Sequence, residues 1–130
     1  MNKTILLTAT IFGLLAIILG AFGAHGLEKV VEQSALDSFE TGVRYQMYHA
    51  LFLLLLGMWD GMTINRKKTV FRLIWIGVVL FSFSIYALAL NELTTFDFKK
   101  IGFITPIGGT ILIVGWIFFG YYILTNKSHK

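Results

Sequence analysis

Apolar residues in this 130-residue chain gather in four long blocks, at about 4–24, 43–60, 72–90 and 104–124, with polar or charged stretches between them. Each block approaches the ~20 residues that a helix needs to cross a hydrocarbon core of about 30 Å. The pattern predicts an all-α fold, with four transmembrane helices joined by short connections in an up-and-down bundle. One transmembrane domain then covers residues 1–130. The first block is longer than the roughly 7–15-residue core of a secretory signal, so we expect it to be retained as a span.

Finer patterns lie inside the blocks. Ala9, Gly13, Ala16, Gly20 and Gly23 recur every three or four residues and form one stripe of small side chains down the first helix. Lipid gives helices no hydrophobic reason to associate, so close backbone approach must hold them together, and this stripe predicts a packing seam. In the second block, Gly42, Gln46, His49 and Leu53 share one face at about 100° per residue, with Arg44 and Tyr48 roughly opposite. Ser34 followed by Asp37 reads as a capping box that would start this helix near Ala35, ahead of the membrane. Glu40 and Arg44 have the spacing of a surface ion pair. In the third block Gly77, Ser82, Ser84 and Ala87 are small or hydroxylic. In the fourth, Thr105 is placed as N-cap with Pro106 at the first helical position. Gly108, Gly109 and Gly115 smooth that helix for packing, and Trp116, mid-span, is expected to be buried.

Charge sets the expected orientation. Lys3, Arg66, Lys67, Lys68, Arg72, Lys127 and Lys130 fall on one side of an alternating bundle, with Asp60 as the one acid there. The other side carries Lys29, Arg44, Lys99 and Lys100 against Glu28, Glu32, Asp37, Glu40, Glu92 and Asp97. The positive-inside rule then places both termini in the cytoplasm, in a multi-pass protein of the bacterial inner membrane. The net charge of +4 is thus a topology signal, and no groove-reading motif suggests a nucleic-acid partner. Without cysteine, disulfide and thiolate chemistry are excluded.

The candidate chemistry is sparse. His49 lies about two turns inside the outer face, where ionisable residues usually turn toward the bundle interior. Gln46 sits one turn above it. With Ser84 and Thr105, and with His25 at the end of helix one, these residues are expected to form a buried polar cluster near the outer surface. That cluster is either interhelical glue or a site for water, a proton or a polar ligand. His25 either caps the last carbonyls of its helix or couples to His49. A haem or metal site finds no support, because the two histidines differ in depth and the third, His129, is in the tail. There is no Walker loop, catalytic Ser-His-Asp spacing or HExxH. We therefore expect no enzyme activity, no catalytic residue, no metal and no cofactor.

Three stretches, GAFGAHGLE at 20–28, FETGVRYQMYHALFLLLLG at 39–57 and FITPIGGTILIVGW at 103–116, resemble the YgdD/YwdK family of small bacterial inner-membrane proteins. FSFSIYALAL at 81–90 is similar to that family's third span, with Phe83 where the family often has a small residue. The resemblance implies four transmembrane helices with recurrent polar positions at His25, Gln46, His49 and Thr105 and at Gly108-Gly109. It supplies no substrate. The expected role is structural or accessory, with membrane lipids and other membrane-protein subunits or further copies as partners. The alternative is a small transporter, or a ligand- or proton-binding protein, that uses His49 and Gln46.

Overall fold

The computed structural model describes residues 2–95 and 97–126. Lys127, His129 and Lys130, counted above in the basic tail, lie outside them. Four long helices carry the chain: α1 (Lys3–His25), α2 (Gln33–Met58), α3 (Ile64–Ala89) and α4 (Ile104–Leu124). α3 is compound, with a π-helical segment Val79–Phe83 between α-helical Ile64–Val78 and Ser84–Ala89. Short 3-10 turns at Leu27–Lys29, Asn91–Leu93 and Phe98–Ile101 occupy the longer connections.

The fold is all-α, as the blocks predict. Three helical stretches, Lys3–Lys29, Ile64–Ala89 and Phe98–Leu124, are long and apolar enough to cross a membrane. α2 is as long, at 26 residues. Asp37, Glu40, Arg44, Gln46 and His49 dilute its apolar character.

Consecutive helices run antiparallel. Asn2 at the start of α1 donates its backbone N–H to Gly57 O near the end of α2 (3.0 Å). Ser82, late in α3, reaches Gly42, early in α2. Arg66, early in α3, reaches Tyr122 at the end of α4. The main core, with Ile5, Ala9, Phe12, Leu53, Leu56, Val70, Ile74, Val78 and Leu112, is therefore shared by all four helices. A second, smaller core of Leu27, Leu36, Phe39, Tyr86 and Ala89 closes the other end.

The small-residue stripe of α1 is a seam against α2. A methyl group at Gly13 would touch Ala50 Cβ at 3.8 Å, one at Gly20 would touch Val43 at 3.4 Å, and one at Gly23 would press on the Phe39 ring at 3.2 Å. Ala9 and Ala16 between them are buried. α4 sits still closer to α3. A Cβ at Gly115 would come within 2.8 Å of Ile74, and one at Gly108 would strike backbone, Leu80 C at 2.7 Å and Phe81 Cα at 2.8 Å. Gly108 therefore lies directly on the π segment. Gly109 faces the Phe81 ring edge at 3.5 Å.

Several expected boundaries need correction. α2 starts at Gln33 with Glu32 at its N-cap and no side-chain cap. The Ser34–Asp37 capping box does not form, because Asp37 accepts from Gln33 Nε2 instead (2.8 Å). Arg44 donates to Thr41 Oγ1 (3.1 Å), not to Glu40. α3 begins at Ile64, a full two turns before the apolar block. Thr63 caps it, and Arg and Lys are good helix formers, so the basic run is helix and not connection. α4 begins at Ile104 without a side-chain cap. Thr105 is inside the helix, where its hydroxyl serves α3. Pro106 still falls in the first turn, whose N–H groups have no helical partner.

These contacts separate two glycines of the same kind. Gly108→Ala is expected to destabilise the bundle by about 1–3 kcal/mol, the usual scale of overpacking. Gly13→Ala, whose added methyl meets only ordinary contact, is expected to be near neutral. Thermal unfolding of both variants in one detergent checks the contrast.

Candidate functional site

The polar residues of α2 engage three neighbours. Gln46 is fully buried. Its Nε2 donates to Phe12 O in the middle of α1 (2.8 Å), and its Oε1 accepts from Tyr86 Oη on α3 (2.7 Å). One amide thus joins three helices. Beside it, Ser82 Oγ donates to Gly42 O (2.8 Å), a second α3–α2 link. Gly42 permits this approach, since a Cβ there would lie 2.7 Å from the Tyr86 ring.

His49, one turn on, looks the other way, toward α4. Trp116 Nε1 donates to His49 Nε2 (3.1 Å). That nitrogen must then carry a lone pair, so the ring's hydrogen is on Nδ1, which donates to Tyr45 O of the preceding turn (2.7 Å). Both imidazole nitrogens are engaged. Trp116 stacks on Phe52 with centroids 4.4 Å apart, and Phe119 meets Phe52 edge-on at 5.0 Å. These rings fasten α4 to α2.

Ser84 and Thr105 form a third bridge. Ser84 Oγ donates to Phe81 O inside the π segment (2.9 Å). Its one hydrogen is then committed, so Thr105 Oγ1 donates to Ser84 Oγ (2.6 Å). The widened π turn disturbs the ordinary ladder of backbone bonds, and a hydroxyl repairs it.

The expected cluster is therefore partly corrected. Gln46, His49 and Ser84 are buried and bonded across helices, with half-buried Thr105. They form three separate bridges, not one pool. His25 does not belong to them: it is exposed at the end of α1, where Gly26 closes the helix by donating to Phe22 O (2.8 Å). Trp116, expected to be buried, is 49% exposed. Tyr86 and Trp116, the two aromatic partners, escaped sequence reasoning, because a tyrosine or tryptophan in an apolar block reads as packing or interface.

A groove of about 440 Å³ opens beside His49 between α2, the π segment and α4, with Tyr45, Phe81, Pro106, Gly109, Ile113 and Trp116 among its walls. It is largely apolar; in its wall the His49 ring and the Trp116 indole N–H are bonded to each other and Thr110 Oγ1 donates to Pro106 O (2.8 Å), while the exposed Tyr45 also lines it. Among the described residues, no three His, Asp or Glu side chains come together as metal ligands would.

Antiparallel apolar helices, glycine seams and internally satisfied polar groups define a small helical membrane protein. A family model described as "Protein of unknown function (DUF423)" matches residues 19–109, and the chain belongs to that family. The match includes all of α2 and α3 and the start of α4 through Gly109. The chain is 41% identical to a UPF0382 membrane protein of Staphylococcus saprophyticus, over 88% of this chain and 92% of that relative. It is 40% identical to the UPF0382 membrane protein YwdK of Bacillus subtilis (88% and 91%). It is 38% identical to a UPF0382 membrane protein of Haemophilus influenzae (98% of each). No solved structure matches the chain. The likeness to the YgdD/YwdK family is thereby confirmed.

The geometry predicts which residues act together. Gln46→Leu and Tyr86→Phe are expected to be non-additive, with a coupling of about 0.6 and at most about 1.7 kcal/mol, the scale measured for interhelical bonds in bilayers. Gln46→Leu and Ser84→Ala, on separate bridges, are expected to add within about 0.5 kcal/mol. A double-mutant cycle on unfolding in detergent measures both.

Proposed function

We propose that this chain is a non-enzymatic component of the bacterial inner membrane: one domain of four spans, both termini cytoplasmic, packing with other membrane proteins or with further copies of itself. One observation carries this reading. Among the described residues, no buried side-chain nitrogen or oxygen lacks a hydrogen-bond partner. The buried polar side chains hold helices to each other.

The count of four spans draws support from the position of α2. It lies between α1 and α3, so Gln46 and His49 face protein. At about 1.5 Å per residue its 26 residues extend about 39 Å, enough to cross. The outer faces of α1 and α4 support the packing role. Leu7, Leu14 and Ile17 on one, and Ile113, Ile117 and Tyr121 on the other, are more than half exposed. Charge asymmetry supports the orientation.

The groove beside His49 favours a second reading, in which a small polar or lipid-like ligand enters from the side and displaces Trp116 from the imidazole. Purification in native detergent without added partners separates the two. The first reading expects the chain to travel with other membrane proteins or as an oligomer. A partner-free monomer with an ordered molecule beside His49 would establish the second.

A further inference from the structure

At the end of the bundle where α1 and α3 begin, α3 presents Arg66, Lys67, Lys68 and Arg72 in its first turns. Two of the four have structural roles. Arg66 donates to Tyr122 O (3.4 Å) and Thr125 Oγ1 (2.9 Å) and lies 4.7 Å over the Tyr122 ring, closing the C-terminal end of α4. Lys67 is only 4% exposed, so its side chain is packed against the bundle. Lys68 and Arg72 remain. They stand one turn apart on the exposed side of α3, and neither has a side-chain hydrogen bond or ion pair among the described residues.

That arrangement is electrostatically unfavourable as it stands. Like charges four residues apart repel. An anion between them removes that repulsion. The structure has a place for one: Lys68 and Arg72 line a pocket of about 210 Å³ with Asn2 and Thr4 from α1, whose back wall is Ile5 and Phe71. Asn2 commits its Oδ1 to the Ile5 N–H (3.2 Å), which leaves its amide hydrogens for an acceptor in the pocket. The pocket lies at the end of two apolar helices long enough to cross a membrane.

We propose that this pocket binds the phosphodiester headgroup of an anionic phospholipid. Lys68 and Arg72 clamp the phosphate, Asn2 donates to it, and Ile5 and Phe71 bear on the glycerol and the first acyl carbons. The site is independent of the role proposed above and of the groove at His49. It does not depend on which side of the membrane this end faces.

The test uses the full chain in a neutral detergent, titrated with phosphatidylglycerol, phosphatidylcholine or inorganic phosphate. Binding is read by native mass spectrometry and by the thermal midpoint. Phosphatidylglycerol is expected to bind and to raise the midpoint; the other two are not. The variant Lys68→Gln/Arg72→Gln is expected to bind phosphatidylglycerol on the order of tenfold more weakly or worse, since each surface cation contributes measurably to anionic-lipid binding. Lys99→Gln/Lys100→Gln, at the opposite end, is expected to bind as the parent does, and Arg72→Lys to retain most of the affinity. The proposal is overturned by equal binding of the two lipids, by parental affinity in Lys68→Gln/Arg72→Gln, or by inorganic phosphate alone reproducing the stabilisation. Unfolding of Lys68→Gln/Arg72→Gln before titration leaves Arg72→Gln alone as the deciding variant, with the same criteria.

Discussion

Hydrocarbon contains no water, so a polar side chain placed in it must be satisfied by the protein itself. The same requirement holds for a residue buried inside the protein, and in this bundle it bears hardest on Gln46, which is fully buried. Its amide has a donor end and an acceptor end, and the two point to different helices, Phe12 O on α1 and Tyr86 Oη on α3. α2 is therefore fixed between them. α4 is placed separately, against α2 through Trp116 and against α3 through Gly108, Gly115 and Thr105.

Directional bonds of this length work only if the backbones come close, and the glycines and alanines allow it. Gly42 leaves room for the Tyr86 ring, and Gly108 lets α4 rest on the backbone of Phe81. The π segment sits where the two demands meet. It carries Ser82, which ties α3 to α2, and it is followed by Ser84, which ties α3 to α4. A bundle with so little hydrophobic drive between its helices is held by fit and by a few exact pairings of donors with acceptors.

Much of this was legible in the chain. The three-and-four spacing from Ala9 to Gly23 is a geometric signature that survives in any helix, and it predicts a packing seam on α1; that α2 fills it is seen only in the structure. The shared face of Gln46 and His49 followed from the helical period alone. Their partners were not legible. Whether Tyr86 or Trp116 offers its polar atom to a neighbour depends on the rotation of another helix, which its own segment does not encode. The π segment leaves no mark in composition, because an inserted residue changes register and not polarity. The start of α3 was misplaced because charge was read as connection, although lysine and arginine propagate helices well. His25 is grouped with the buried residues because the resemblance marks it as a recurrent polar position near the outer surface; at the last residue of α1 its side chain is exposed.

The central claim is that the buried polar side chains are ties between helices. The most direct measurement is ¹⁵N solid-state NMR of histidine-labelled protein in lipid bilayers at neutral pH, with the His49 signals identified by their loss in His49→Asn. The account predicts a neutral ring with hydrogen on Nδ1 alone and an unprotonated Nε2 close to the Trp116 indole N–H. A ring protonated on Nε2, or one exchanging freely with water, would contradict it.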